Sequence, residues 1–435
     1  MPASIPAPAT AAAPRVASSS ARAASDLSHP LPAGMRDFLP PDARRLSELA
    51  RRLLGSFELF GYELVTLPVF EYESVLERGL GALDPEEVLR FVEPETGEVV
   101  ALRPDMTPQL ARVVATRLSQ AAVPIRLSYQ GSVLRRRRER ARRHRQIFQA
   151  GIELIGLDGP SGDLEALDVA CSAARAVGLD DFVLDLGHAR IAFALLEGVE
   201  PSRQRAAVEA LHLKDQVELR RAAASAGLGA REQDALAALS ELHGGQDILK
   251  AARSVLAGTR AEAGLDELSR VLVEVERRSF APAVVVDLGE TRNFAYYTGT
   301  TFQLHAHGPG VPIASGGRYD GLLEGFGRPL PAFGFAFGLD DLVWALGSGV
   351  QTETVPRLLL TGGAAGLAGA LRAAGLCCAV GPEQDPLAYA KAWRYTHWVS
   401  ATASEAVVTS ATDLVEQRAP LDAASLVRVL VKVKP

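Results

Sequence analysis

The most regular apolar spacing in the first part of the chain lies between residues 42 and 60, where Leu46, Leu49, Leu53, Leu54, Phe57 and Phe60 recur at three- and four-residue steps. That period places them on one face of a helix, which starts after Pro40-Pro41-Asp42 and stops at Gly61. YELVTLPVFE (62–71) then reads as a strand, and Pro68 within it predicts an edge or an intersubunit seam, because proline has no N–H for a ladder. After a polar hairpin region (FVEPETGEVVALRPD, 91–105), Thr107-Pro108 predicts a helix start with Thr107 as N-cap and Leu110, Val113, Val114 and Leu118 on the buried face. Asp105, just ahead of it, also suits a helix N-terminus, which favours a negative charge.

The next two apolar runs, IRLSYQGSVL (125–134) and QIFQAGIELI (146–155), have strand length, and the arginine-dense segment 135–145 between them offers no core-forming residue. Alternation along the second strand sends Phe148, Ala150, Ile152 and Leu154 to one face and Gln149, Gly151 and Glu153 to the other. By itself, such a pattern fits a half-solvated edge strand as well as the floor of a polar-ligand pocket, with Gly151 leaving room between an amide and a carboxylate.

Residues 163–178 predict a helix and 181–188 a strand, followed by about ninety residues of amphipathic helix with breaks at GVEPSRQ, AGLGA and HGGQD. This predicts a helical module, about 195–278, inserted into a sheet domain. Strand-like runs resume at PAVVVDLGE and FAYYTGTTFQLHA, then come the glycine-rich ASGGRYDGLLEGFG and the strand-to-helix segment PAFGFAFGLDDLVWALG. From 351 to 435, short apolar runs alternate with helical stretches, the pattern of a small α/β module.

Composition narrows the class of protein. The apolar fraction of 48% is enough for a full core, and residues 1–28, mostly Ala, Pro and Ser with little to bury, are expected to form a disordered tail. No apolar run has the length of a membrane span. Cys171, Cys377 and Cys378 give neither a disulfide framework nor a metal-ligand spacing, which points to a reducing cytoplasm and to no metal or cofactor. A formal charge of −6 argues against a general nucleic-acid binder in spite of the arginine run.

In order, LRPDMTP, the GSVLR and RQIFQAGIELIG hairpin, RNFAYYTG, SGGRYDGL and GFAFGLDDL resemble the catalytic-domain motifs of histidyl-tRNA synthetase, a class II synthetase. The resemblance implies an α+β fold over about 29–345, with a mainly antiparallel sheet flanked by helices and dimerisation through the first helix and strand. It also implies a histidine pocket. Asp105, Thr107 and Gln149 would hold the α-ammonium and Arg135 the α-carboxylate; Glu153 and Tyr297 would meet the imidazole nitrogens, with Tyr296 and Tyr319 as walls. Arg292 stands where the family has a catalytic arginine.

Two positions depart from the synthetases. Arg137 replaces the glutamate that engages adenine, and Asp341 replaces the arginine that faces the γ-phosphate, a reversal of charge in front of a polyanion. Keeping the amino-acid pocket without the nucleotide machinery is similar to the regulatory subunits of ATP phosphoribosyltransferase. Membership there implies no catalytic residues, free L-histidine as ligand, a dimer within a hetero-oligomer, and a short-form catalytic subunit as partner in place of tRNA. The other readings are an active histidyl-tRNA synthetase and an RNA-binding, synthetase-like sensor.

Overall fold

The computed structural model describes residues 31–80, 88–135, 144–291, 297–347 and 356–431. The chain divides into two compact units, Met1–Val350 and Gln351–Pro435. The 1–28 tail and the arginine run from 136 to 143 fall outside the described residues.

In the first unit α1 (Asp42–Leu59) leads to β1 (Glu63–Leu64) and β2 (Phe70–Tyr72), so the run read as one strand around Pro68 is two short ones. Proline lacks the donor that would join them. Then come α2 (Glu73–Leu80), β3 (Arg90–Val92), β4 (Val99–Leu102), α3 (Thr107–Thr116), the long hairpin β5 (Ile125–Leu134) and β6 (Gln146–Ile155), α4 (Ser161–Ala176) and β7 (Val183–His188). Helices α5 (Ala189–Leu195), α6 (Pro201–His212), α7 (Gln216–Ser225) and α8 (Ala230–Leu239) precede β8 (His243–Gly244), which is followed by α9 (Ile248–Leu256) and α10 (Glu262–Arg278). Strands β9 (Ala283–Asp287), β10 (Thr300–His305), β11 (Ala314–Arg318) and β12 (Ala332–Gly338) lead to α11 (Leu339–Leu346).

Nine strands form one sheet in the order β1-β5-β6-β12-β11-β10-β7-β9-β8, antiparallel except for β1–β5 and β7–β9. Its two faces differ in chemistry. One carries Ala150, Ile152, Leu154, Phe302, Leu304, Phe333, Phe335, Phe337, Leu184 and Leu186, all buried in a core that includes Leu49, Leu53 and Phe57 of α1 and Leu164, Leu167 and Cys171 of α4. Phe335 is a hub there, with its ring 5.9 Å from Phe57, 5.7 Å from Phe302 and 5.8 Å from Phe337, in edge-to-face arrangements that suit the aromatic quadrupole. Each such buried ring contributes about 1.5–3 kcal/mol.

The opposite face is small and polar. One cross-strand row runs Glu153, Gly334, Gly317, Thr301, Gly187, and the next runs Tyr129, Gly151, Ala336, Ser315, Gln303, Asp185. Alternation along each strand forces this: the residues between those that bury apolar side chains under the helices must point away from them. The second unit is a five-stranded sheet with its own core of Leu358, Leu360, Leu371, Val399, Val408, Leu426 and Leu430.

Candidate functional site

The centre of the polar face is Glu153, which is 1% exposed. Its carboxyl accepts a 2.6 Å hydrogen bond from Thr107 Oγ1 at Oε1 and one from the Tyr319 hydroxyl at Oε2. The neighbouring strand makes space for it: a Cβ on Gly334 would sit 1.8 Å from Oε2. Burial pushes the pKa of Glu153 well above the usual carboxylate value; the Thr107 hydroxyl draws it back, and the charge of Asp105 raises it further. Next along the row the Tyr297 ring covers Gly317, where a Cβ would lie 3.0 Å from Cδ1.

Both hydroxyls are placed by local structure. Helix α3 starts at Thr107 itself, and the N–H of Thr107 donates to Asp105 Oδ1 at 2.9 Å. Asp105 therefore satisfies the helix end, whereas Thr107, expected as the N-cap, turns its side chain to Glu153. The side chain of a residue at the first helical position is released from that duty because the acid two residues earlier has taken it. Tyr319 is held where β11 ends by its N–H bond to Ala332 O, and the preceding Arg318 donates to buried Asp163 of α4 at 2.6 Å.

At the other end of the site Arg135 donates through Nε to Pro104 O at 2.7 Å and through Nη2 to Asp105 Oδ2 at 3.4 Å. Gln149 faces the same way as Glu153 and is paired across the ladder with Gly131 on one side and Gly338 on the other. Asp341, in the first turn of α11, also reaches this end, because a Cβ on Gly338 would meet its Oδ2 at 2.6 Å. Asp340 beside it pairs with Arg36.

The structure thus gathers Asp105, Thr107, Arg135, Gln149, Glu153, Tyr297 and Tyr319 on one face, while Arg292, Tyr296 and Arg137 lie outside the described residues. Gly151 plays a different part from the one its size suggested. The space above it holds Tyr129, whose Oη would be 2.6 Å from an added Cβ, with Phe335 O at 2.2 Å. Tyr129 was missed by the motif reading; alternation along β5 puts it opposite Gly151, and that pairing is the signal that could have found it. Its hydroxyl is fully buried, and burial followed by the charge of Glu153 raises its pKa well above the ordinary phenol value. Among the described residues no group of three or more His, Cys, Asp or Glu is arranged to hold a metal ion, and no helix is long and apolar enough to cross a membrane.

A mainly antiparallel sheet with α1 and α4 packed on one face and this polar face, approached by α3, opposite defines a class II, histidyl-tRNA synthetase-like protein, and the sequence model of the histidyl-tRNA synthetase family matches residues 34–342. More narrowly, the chain belongs to the family of ATP phosphoribosyltransferase regulatory subunits. It is 46% identical over 322 residues to the protein of that name from Anaeromyxobacter sp. (strain Fw109-5), covering 73% of this chain and 92% of the relative. The protein of that name from Moorella thermoacetica is 40% identical over 341 residues, 78% of this chain and 86% of the relative. A crystal structure described as an ATP phosphoribosyltransferase regulatory subunit/histidyl-tRNA synthetase from Bacillus halodurans C superposes with a TM-score of 0.76 at 29% identity, covering 86% of this chain and 98% of that one.

Proposed function

We propose that this chain is a non-catalytic, histidine-sensing subunit that works with a separate catalytic ATP phosphoribosyltransferase in the first step of histidine biosynthesis. The observation that carries the reading is the polarity of the site: a buried carboxyl held by two hydroxyls at one end and the half-exposed Asp105–Arg135 pair at the other. Free histidine has matching ends. Its ammonium would take Asp105 with help from Gln149, its carboxylate Arg135, and its imidazole Glu153 and Tyr297, with Tyr319 as a wall and Thr107 orienting Glu153. Arg292 and Tyr296 complete the proposed set by their sequence positions.

Each charge-assisted hydrogen bond that replaces water in such a site contributes about 1.5–3 kcal/mol. Selectivity has a physical basis as well. Glu153 already lacks water, so a ligand without a ring N–H leaves it with hydroxyl partners alone, and an imidazole that can share a proton offsets part of the cost of burial.

Support for the absence of adenylation comes from Asp341. Its carboxylate sits at the Gln149 end of the face, in the first turn of α11, where the helix N-terminus favours an acid. A triphosphate brought beside Gly338 would meet the like charge of Asp341. For self-association we propose the edge strand β1 and the end of α1, where Leu59 is 87% and Leu64 54% exposed. The cytoplasm suits three cysteines that are all free in the structure. Feedback follows if histidine binds one arrangement of the hetero-oligomer more tightly than the other, since only differential affinity shifts an equilibrium.

Isothermal titration of the full chain with L-histidine tests the proposal, and saturable binding is expected. No heat at millimolar ligand overturns it, and so does histidyl-adenylate formation by the purified chain alone.

A further inference from the structure

We propose that Arg103 is a specificity-determining residue of the site, a second cation that recognises the carboxylate of the bound amino acid; this rests on the amino-acid reading above. Arg103 is 4% exposed, and three main-chain carbonyls use three of its five N–H donors: Nε–H reaches Ser132 O at 2.8 Å, and Nη1 reaches Leu67 O at 2.9 Å and Pro68 O at 3.0 Å. The two donors on Nη2 make no hydrogen bond with any other described residue. Their position is fixed by Gly131, where a Cβ would come within 2.4 Å of Nη2 and 3.0 Å of Met106 Cε. Gly131 is the ladder partner of Gln149, so the guanidinium edge lies on the polar face at the amino-acid end of the site.

Charge makes the same case. A buried guanidinium normally has a carboxylate beside it, because carbonyl dipoles alone do not repay the loss of water. Desolvation depresses the pKa of Arg103, and among the described residues its hydrogen bonds all go to main-chain carbonyls and none to a carboxylate. The other cation proposed for the carboxylate, Arg135, already shares itself with Asp105. A ligand carboxylate arriving at this end would supply the counter-charge that Arg103 lacks, without breaking any bond that Arg103 makes. Glycine at 131 is then required because any larger residue would stand between the guanidinium and the ligand.

Binding of L-histidine and of histamine, which keeps the ammonium and the ring but has no carboxylate, separates this role from a purely structural one. With the full chain, the wild type is expected to prefer histidine. Arg103→Met lowers that preference at least about tenfold while leaving histamine affinity nearly unchanged, the scale of one charge-assisted hydrogen bond. An unchanged preference, or an equal loss of both ligands, overturns the proposal. Because Arg103 also ties three chain segments together, Gly131→Ala provides a variant that keeps every carbonyl acceptor: its methyl displaces Nη2, and loss of the histidine preference is again expected, whereas its retention sinks the idea. A wild-type chain that binds neither compound overturns the amino-acid reading itself, whereas binding of both with an Arg103-independent ratio overturns only the role of Arg103.

Discussion

Thr107 Oγ1 donates a 2.6 Å hydrogen bond to Glu153 Oε1, joining the first residue of α3 to the C-terminal half of β6 across 46 positions of sequence. That bond and the one from Tyr319 fix both oxygens of a carboxyl that has almost no contact with water. The floor of the site is therefore set before any ligand arrives, and the cost of ordering Glu153 falls on folding instead of binding.

Glu153→Ala removes the proposed ring partner. Histidine affinity is expected to drop by about 2–4 kcal/mol, the range for stranding a buried polar group. Calorimetric titration of the variant checks this, and an unchanged affinity would place the pocket elsewhere.

The same residue predicts a pH dependence. Its folded pKa lies well above the ordinary 4.5, so above pH 4.5 the folded chain holds a proton that the unfolded chain has lost. Stability contributed by Glu153 is therefore present at low pH and falls as pH rises through that window. Glu153→Gln abolishes the titration, so the melting temperature of the variant minus that of the wild type should grow more positive from about pH 5 to about pH 8. A difference that does not move with pH would mean that the carboxyl titrates normally.

Gly334→Ala tests the space beside Glu153. The added methyl would lie 1.8 Å from Oε2, and Ile152 O at 2.9 Å blocks retreat, so the carboxyl must swing away from Tyr319. A loss of histidine affinity of about tenfold or more is expected, with a destabilisation of about 1–3 kcal/mol from overpacking. Retention of full affinity would show that the position of Glu153 does not matter.

Asp163→Ala leaves Arg318 buried without its main counter-charge, since Asp163 and Arg318 are both inaccessible to solvent. Urea denaturation is expected to show a loss of about 3–5 kcal/mol. A change below 1 kcal/mol would mean that Asp320, which also pairs with Arg318, suffices.

Leu64→Lys places a charge on the edge strand of the large sheet. If the chain self-associates through this edge, light scattering should show a shift from dimer to monomer. A variant that stays dimeric locates the interface elsewhere.

Periodicity alone gave α1, the β5–β6 hairpin and the face on which Gln149, Gly151 and Glu153 lie, because alternation is a local property of extended backbone. Motif order carried the fold class as well. What could not be read was who touches whom. Thr107 carried a capping signal, and only the approach of α3 to β6 shows that Asp105 takes that task and frees the hydroxyl for Glu153. Gly151 signalled space without saying that Tyr129 fills it.

By itself, then, the order of residues determined the apolar and polar faces and the charge types assembled on the latter, since those follow from spacing and composition. Tertiary structure decided which hydroxyl meets which carboxyl, and that Arg103 is buried with its hydrogen bonds going, among the described residues, to three main-chain carbonyls. Such contacts depend on how separate segments pack in three dimensions, and each is worth only about 1–3 kcal/mol, too little to leave a pattern in the sequence but enough to set what the site accepts.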